Sequence, residues 1–584
     1  MKYIFYLLVM LMLCISACRH DQGLQSSQSS IKVRLVQDPQ RINPVFASSN
    51  TVSREVYPYI FLQMAEFDPK TLSLSPILAI SIPEKKDITE GKYTGGISYT
   101  FEILEDAVWT DGTPILATDY LFTLKAINHP TVNATAWKNI LKDISDVELY
   151  PSNPKKFTVF FSEPYILALE AASSFEFFPE HIYDKNGSLK AFSLPEIKNA
   201  DNLDRLKESQ EIADFATNFN DVIFQQDNCM GSGPYVLSQW ETDQFVRLTR
   251  KENYWGNAYP ERIFLNSKPK EIIFNIIPDE VTAITQLKAG EIDLMTISNG
   301  ENFKQLMEED TDLKFHTPQL TLYYYISMNN SSDKLQDKKV RRALSHLIDV
   351  DAFIEQVEYG NAKRTIGTIL PFKEEYNSNL KPLEYDEVKA AGLLKEAGWA
   401  DTNGNGILDK EILGQSEELI FDMFVSGGQV GQRLALLLSE STKKVGAEVN
   451  IIQKDGRAIL REHIYTGEYD LYPMVIRPKL GEYDPYGSWH SDNAKNGGGN
   501  FSRYDNPISD AIMEKLKTET DATKRVALYR DLQEKMYEDQ PVVFLYSPVS
   551  KIVTSGEIEP LISVKRPGYF LQTATVTRPA FSEN

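Results

Sequence analysis

Cysteine is nearly absent from this chain of 584 residues, which contains only three. Cys14 and Cys18 lie close to the N-terminus, and Cys229 stands alone in the rest of the sequence. Once the first residues are removed by processing, no pair of thiols is left to form an intrachain disulfide. Nothing near Cys229 in the sequence indicates the lowered pKa of a catalytic thiol, so we take it for a buried structural residue.

The sequence also lacks the motifs of common enzymes. Its seven histidines are scattered, with no pair at i, i+4 and no HExxH, which argues against a zinc hydrolase. The stretch 231–233 lacks the spacing of a hydrolase nucleophile, and glycine patterns for phosphates or dinucleotides are missing. Carboxylates are too abundant for counting to exclude an acid–base pair, but none is singled out. We predict that the chain is not an enzyme.

A positive charge excess is missing as well. The 61 Lys and Arg residues face 82 Asp and Glu residues, which gives a net charge of −21. Nucleic acid would require clustered cations, so we predict no nucleic-acid partner. A hydrophobic content of 42% with 11% aromatic residues is typical of a globular protein. The length indicates two or three domains.

The N-terminus reads as a targeting segment. Lys2 precedes an apolar run from Ile4 to Ile15, and the segment 15–18, Ile-Ser-Ala-Cys, resembles a bacterial lipobox. We predict a lipoprotein signal peptide at 1–17, lipidation of Cys18, and a polar, serine-rich tether at 18–30. The alternative is an ordinary signal peptide ending near a chance cysteine. With no further long apolar segment, the body is predicted to be extracytoplasmic, in the periplasm or at the cell surface.

Strand and helix patterns alternate along the body, which predicts an α/β fold. Strands are predicted at 31–36, 157–161 and 271–277. A helix at 340–348 carries an apolar stripe, with Arg341 and Arg342 expected on its solvated side. Another helix is predicted between Asp279, as N-cap, and Gly290, as its stop, with Val281, Ile284 and Leu287 on one face.

Several blocks occur in the order known from one protein family. They begin with a strand and turn at 99–114 and a helix at 119–124, and continue with the glycine-punctuated stretch 231–293. Further blocks lie at 323–329, 340–349, 393–399 and 541–546. In this order the chain resembles the solute-binding proteins of oligopeptide and dipeptide ABC importers, known as extracytoplasmic solute-binding protein family 5, over roughly residues 33 to 555.

The resemblance implies a periplasmic-binding-protein-like type II bilobal fold (cluster C) with an inserted extra domain. Lobe I would combine 31–57, 186–325 and 541–584, the inserted domain II would cover 58–185, and lobe III would cover 326–540. Two crossings between the lobes would act as a hinge. The implied partners are a peptide or other small-molecule ligand and an ABC permease complex, and the chain is expected to be a monomer.

The resemblance also places the ligand in a cleft beside the segment 483–486. Peptide-binding members carry an Asp four residues before the corresponding Pro485, where it pairs with the ligand's ammonium group, but here that position is Gly481. Glu482 or Asp484 could replace it, and Arg477 could instead hold an anionic group.

Four aromatic residues are candidate platforms for the ligand, with core or inter-lobe packing as the alternative for each: Tyr323, Tyr324, Tyr486 and Trp489. Alternation along the strand would send Tyr323 and Tyr325 to the face opposite Tyr324.

One loop has the beginning of a calcium-binding pattern. Asp401, Asn403, Asn405 and Asp409 occupy positions 1, 3, 5 and 9 of an EF-hand-type loop, and Gly406 stands at position 6. Position 12 is Ile412, where a bidentate Glu belongs. The two readings are a weak structural calcium site and an Asx-stabilised turn. No other cofactor is predicted.

These observations together predict a lipid-anchored solute-binding component of an ABC transporter that captures short peptides in an inter-lobe cleft. The alternatives are a binder of a non-peptide solute, such as a metal chelate or an oligosaccharide, and a surface receptor that uses the fold without transport.

Overall fold

The structure is a computed structural model, which describes residues 30–577 except 48–49, 200–205, 207–208, 223–225, 227, 310–311 and 496. The predicted signal peptide 1–17, Cys18 and all but the last residue of the tether lie outside the described residues. Within the described ranges, strands and helices alternate around three larger sheets, which confirms the predicted α/β class. No helix of this part of the chain is long and apolar enough to cross a bilayer.

The first sheet has seven strands and a core on each face. Its spatial order is Lys314–His316, Ile552–Thr554, Leu294–Thr296, Ser30–Leu35, Glu271–Ile276, Phe245–Arg250 and Tyr235–Glu241. Neighbouring side chains point to opposite faces, as the period of a strand requires. Leu294 therefore packs into one apolar core and Met295 into the other.

A four-stranded sheet is formed by a segment that is inserted in the sequence after Ser30–Leu35 and before the other strands of the seven-stranded sheet. Its order is Lys86–Asp87, Ile97–Glu102, Asn153–Phe161 and Ile144–Tyr150. Its side chains share one continuous core with the seven-stranded sheet, in which Trp109 is 2% exposed. The inserted segment is therefore packed firmly against the first lobe.

The third sheet has five strands and forms the centre of the second lobe. Its order is Glu448–Gln453, Ile420–Val425, Leu471–Ile476, Tyr323–Met328 and Val542–Phe544. Ile326 and Met328 pack into the core on one face, and Tyr323 and Tyr325 pack into the core on the other. Tyr324 packs with the first group, so the predicted alternation along this strand is confirmed.

Four strand pairs and the helices complete the fold. The pairs are Ala65–Phe67 with Leu74–Pro76, Ala362–Arg364 with Tyr546–Pro548, Asp409–Ile412 with Gln415–Glu418, and Ile558–Ile562 with Tyr569–Val576. The longer helices are Ala117–Asn128, Gln210–Asn220, Glu280–Lys288, Gly300–Glu308, Lys338–His346, Val350–Val357, Glu387–Glu396, Gln429–Lys443, Pro507–Thr518 and Ala522–Asp539. Shorter helices include Ser53–Val56, Ala168–Ser173 and Tyr486–Trp489.

The chain passes between the two large sheets at positions that differ from the predicted lobe bounds. The strand Tyr323–Met328 spans the bound predicted at 325/326, and Val542–Phe544 belongs to the five-stranded sheet although 541–584 was assigned to lobe I. We therefore propose the same division into lobes, with the crossings moved to the segments 317–322 and 545–551.

The two predicted helices form at Glu280–Lys288 and Lys338–His346, but each differs from the prediction in one of the side chains that it buries. Asp279 accepts a hydrogen bond from the Thr282 amide, and Gly290 follows with a φ of 72°, as a cap and a stop should. Val281 is 62% exposed, so it does not share the buried face. Arg341, expected on the solvated side, is buried, because its guanidinium donates to the carbonyls of 335, 336, 539 and 540.

Candidate ligand-binding cleft

A cavity of about 770 Å³ lies between the lobes and is lined from all three parts of the fold. This volume falls within the range of roughly 300–1,000 Å³ that is typical of small-ligand sites. Charged and aromatic side chains on its wall include Arg54, Glu55, Tyr57, Glu66, Glu176, Tyr324, Glu358, Lys551, Lys565, Arg566 and Tyr569.

The first-lobe wall is held by close packing of one chain segment against another. The helix Ser53–Val56 continues into a short 3-10 helix, Tyr57–Tyr59, with Pro58 in its first turn. Behind this segment, a Cβ atom added at Gly231 would lie 2.0 Å from the Ile60 carbonyl oxygen. Only glycine permits such an approach of two backbones. The glycine-rich motif at 231–234 therefore supports the wall from behind rather than contacting the ligand.

A hairpin supplies the neighbouring part of the wall. Its strands, Ile558–Ile562 and Tyr569–Val576, are joined by the turn that carries Lys565 and Arg566. Gly568 has a φ of 108° in this turn, a conformation that side-chain-bearing residues rarely adopt. The Tyr569 hydroxyl donates a hydrogen bond of 2.5 Å to Glu55 and so ties the hairpin to the first-lobe helix.

Two lysines of the cavity form ion pairs with glutamates. Lys565 Nζ lies 3.1 Å from Glu66 Oε1, which joins the hairpin to the inserted domain. Lys551 Nζ lies 3.3 Å from Glu358 Oε2, and the Tyr546 hydroxyl donates to Glu358 Oε1 at 3.0 Å. Lys551 ends the second crossing segment and Glu358 follows a helix of the second lobe, so this pair lies at the proposed hinge.

The other two glutamates of the cavity have raised pKa values. Burial raises the pKa of Glu176 to about 7, although a hydrogen bond from Gln63 opposes the shift. Gln63 Nε2 donates to Glu176 Oε1 at 2.6 Å. Burial likewise raises the pKa of Glu55 to about 7, against the hydrogen bond from Tyr569. Near neutral pH, these two carboxyl groups therefore carry less than their full negative charge.

Arginines of the cavity have no such partners. Arg54 and Arg566 line the cavity with exposed side chains, and neither forms an ion pair with any residue that the structure describes. Although the Arg566 side chain is partly open to the cavity, the rest of it is enclosed, and this partial burial, followed by the like charges of Arg54 and Arg477, lowers its pKa. Arg477 follows the strand Leu471–Ile476 of the second lobe, so the cluster draws on both lobes.

Of the aromatic residues predicted at the site, one lines the cavity. Tyr324 is half-buried on the cavity wall, with its ring centroid 5.1 Å from that of Tyr546. Tyr323 and Trp489 are 0% and 2% exposed and pack in the core behind the five-stranded sheet. A side chain enclosed in a core does not reach a ligand, so we do not carry Tyr323 and Trp489 into the proposed site.

The predicted acidic residues, and Tyr486 beside them, are not among the residues that line the cavity. Glu482 forms an ion pair with Arg525 at 2.6 Å. Asp484 accepts a hydrogen bond from the Tyr486 amide and interacts with the Tyr165 hydroxyl of the inserted domain. The Tyr486 ring stacks on His490, and its hydroxyl donates to Asp492. The side chains of Glu482, Asp484 and Tyr486 are therefore engaged in contacts within the second lobe or between the lobes.

Gly481 lies against two side chains of the inserted domain. A Cβ atom added there would lie 2.4 Å from Phe67 Cζ and 2.6 Å from Glu170 Oε2. Nearby, Lys479 Nζ lies 2.9 Å from Glu170 Oε1, and the Ile166 amide donates to the Lys517 carbonyl. An aspartate at 481 would therefore require the ends of the Phe67 and Glu170 side chains to move.

The loop 401–409 has the hydrogen bonds of an Asx-stabilised turn. Asp401 accepts from the amides of Gly404 and Gly406, Asn403 from Asn405, and Asn405 from Ile407. Asp409 accepts from the amide and hydroxyl of Thr402. In the part of the chain that the structure describes, no group of three or more His, Cys, Asp or Glu side chains is placed to hold a metal ion. These contacts support the Asx-stabilised turn over the calcium site.

Cys229 fits the structural role expected of it. It is a free, half-buried thiol, and burial raises its pKa to about 12, so it is not a nucleophilic thiolate near neutral pH.

Sequence reasoning missed most of the charged wall. Arg54, Glu55, Glu176 and Arg566 come from segments outside the recognised blocks, and no spacing links them. The available signal was the Lys-Arg-Pro-Gly sequence at 565–568, which is typical of a tight turn with two cations at its tip.

Comparisons with known proteins agree with this architecture. Residues 86–498, more than two thirds of the chain, match the model of the bacterial extracellular solute-binding proteins, family 5. The chain is 27% identical over 580 residues to the oligopeptide-binding protein AppA of Bacillus subtilis, covering 94% of each protein. It is also 27% identical over 338 residues to the nickel-binding periplasmic protein of Escherichia coli, covering 55% of this chain and 59% of that protein.

A solved structure extends the likeness to the fold. The structure of Bacillus subtilis AppA in complex with a nonapeptide superposes with a TM-score of 0.66 at 24% identity, covering 94% of this chain and 100% of that one. The implied bilobal fold is thereby confirmed. Members of the matched family are extracytoplasmic solute-binding proteins of transport systems and are not enzymes. The chain belongs to the bacterial extracellular solute-binding proteins of family 5.

Proposed function

We propose that the chain is the lipid-anchored solute-binding component of an ABC importer, and that it captures short peptides in the cavity between its lobes. Acylated Cys18 would hold the protein, as a monomer, at the outer side of a membrane, where it presents ligand to a permease complex. The observation that carries the proposal is the inter-lobe cavity of about 770 Å³ in a chain of this family.

The character of the wall supports a peptide as ligand. Tyr324, half-buried on the wall, offers an apolar face for side chains of varied shape. Charged groups of both signs on the same wall can meet the ends of a zwitterionic chain. One relative that aligns over nearly the whole chain is an oligopeptide-binding protein.

A non-peptide solute is the second candidate, and two observations favour it. The position where peptide-binding members carry their aspartate is Gly481, which has no carboxylate to pair with a peptide's ammonium group. The second relative is a nickel-binding protein. A metal chelate with several carboxylates would suit a cavity that contains unpaired arginines.

A surface receptor that uses the fold without transport is the third candidate. Genes for a permease and an ATPase in the same operon would argue against it.

Mass spectrometry of the ligand that copurifies with the native protein tests the proposal directly. We expect short peptides, released on denaturation and bound again by the refolded protein. The calcium reading is tested in the same preparation, since the loop 401–409 should give no calcium-dependent rise in melting temperature. Recovery of a metal chelate or an oligosaccharide instead of peptides would overturn the peptide assignment.

A further inference from the structure

The charges of the cavity do not cancel. Four cationic side chains line it, Arg54, Lys551, Lys565 and Arg566. Both lysines form ion pairs with glutamates, at 3.3 and 3.1 Å, whereas the two arginines form none with the described residues. The two arginines are therefore left as unneutralised charge in a chain whose net charge is −21.

Two glutamates of the wall are left to neutralise them, Glu55, whose charge would act on Arg566, and Glu176, and burial raises the pKa of both. Glu176 Oε1 accepts from Gln63 Nε2, while Glu176 Oε2 and Gln63 Oε1 are both buried with no partner. A proton on Glu176 Oε2 that is donated to Gln63 Oε1 would complete a two-bond ring between acid and amide. Because an unpaired buried acceptor is costly, this arrangement favours the neutral carboxyl. The raised pKa of Glu176 agrees with it.

Arg54, Arg566 and the arginine that acts on them from the second lobe, Arg477, come from different parts of the fold. Arg54 lies on the first-lobe helix Ser53–Val56, Arg566 on the hairpin turn, and Arg477 after the last residue of a second-lobe strand. Arg54 and Arg477 both act on Arg566 as like charges. Bringing the lobes together without a counter-charge is therefore opposed by repulsion, which an anion between them would relieve.

We propose that Arg54 and Arg566, with Arg477 from the opposite lobe, form a subsite for a carboxylate of the ligand, and that this carboxylate drives closure of the cleft. The guanidinium fork matches a carboxylate through two parallel hydrogen bonds. The inference deepens the proposed function and rests on it, since it concerns the same cavity.

The first test compares one pool of tripeptides to pentapeptides, as free acids and as C-terminal amides, on the full-length protein freed of bound ligand. Competition is read by mass spectrometry of the bound fraction. We expect the acids to bind on the order of tenfold to a hundredfold tighter. R54Q and R566Q should remove this preference, and K565Q, which changes a paired cation of the same wall, should retain it.

A second arm separates the sources of the carboxylate. Amidated peptides that contain Glu are compared with the same peptides containing Gln. A preference for Glu that R566Q removes would assign the subsite to an acidic side chain and support the inference. If the wild type binds free acids and amides equally, and Glu-containing and Gln-containing peptides equally, the inference is overturned and the proposed function stays intact.

A ligand-free measurement covers the case in which no peptide binds and the proposed function fails. Unneutralised repulsion predicts that R566Q raises the melting temperature of the empty protein at low salt, and that the gain shrinks at high salt. K565Q, which breaks an ion pair, should give no gain. An R566Q protein that is no more stable than the wild type at any salt concentration would contradict the inference.

Discussion

Burial controls the charge of Glu176, a residue 5% exposed on the cavity wall. Its pKa is raised from 4.5 to about 7. Between these two values the folded protein holds a proton that the unfolded chain has released, so stability falls as the pH rises through this window. For one group the fall amounts to about 3 kcal/mol in the unfolding free energy.

E176Q therefore tests the protonation state. A side-chain amide at this position would make the same two-bond ring with Gln63 and does not titrate. We expect the melting temperature of E176Q to match that of the wild type near pH 5 and to exceed it increasingly up to pH 8. The exposed Glu90 serves as the control position, since E90Q should track the wild type throughout. Parallel curves for E176Q and the wild type would show that Glu176 is ionised at both ends of the range.

The ion pair between Glu358 and Lys551 leads to a second prediction, which concerns the stability of the protein. Both residues are buried, with 9% and 6% exposure, so removing one partner leaves an unpaired charge in the interior. E358Q should destabilise the protein by about 3–5 kcal/mol. The double variant E358Q/K551M should recover part of that loss, as measured by denaturant unfolding. A double variant less stable than E358Q would indicate that Lys551 has another essential partner.

Individual residues were predictable only where a local pattern defines their environment. Alternation placed Tyr323 and Tyr324 on opposite faces of one strand, and the structure confirms it. The pattern does not say which face meets the cavity, and it therefore could not separate Tyr324 from its buried neighbour. Arg341 shows the same limit, because its carbonyl partners at 539 and 540 lie about two hundred residues away along the chain.

At the scale of elements, the glycine motif at 231–234 is a structural device. Gly231 and Gly233 pack against backbone carbonyl oxygens of Tyr59 and Ile60 on the segment that forms the cavity wall. A methyl group at either position forces two backbones apart. The motif was correctly located from the sequence, but its contact with residues 59–60 required the tertiary structure.

Two glycine substitutions test whether Gly231 is needed for this close backbone packing. G231A should lower the melting temperature and weaken ligand binding, because the added Cβ would lie 2.0 Å from a carbonyl oxygen. G392A is the matched control, since Gly392 lies in the helix Glu387–Glu396 with nothing within 4 Å of the added atom. G392A should stabilise the protein by about 0.5–1 kcal/mol. Equal effects of the two substitutions in thermal unfolding would refute the packing argument.

For the whole molecule, order along the chain was the useful signal. Blocks spread over most of the sequence predicted the bilobal fold, and the strands at 30–35, 153–161 and 271–276 formed close to the predicted positions. The cavity could not be predicted in the same way. Its wall joins residues as distant as Arg54, Tyr324 and Arg566, and only the packing of three sheets brings them together.

The cavity lies between lobes that we propose are joined by two crossing segments, at 317–322 and 545–551, and these segments would act as the hinge. Ligand contacts on both sides would stabilise the closed arrangement, and the cost of closing would be offset by the contacts formed. The unpaired arginines would make that closure depend on the charge of the ligand.

Small-angle X-ray scattering of the purified protein, first freed of bound ligand and then supplied with the ligand that it carried, tests the central claim most directly. We expect the radius of gyration to fall on binding as the lobes close, and to return when the ligand is removed. A profile that stays unchanged while calorimetry reports saturation of the cavity would contradict a mechanism based on lobe closure.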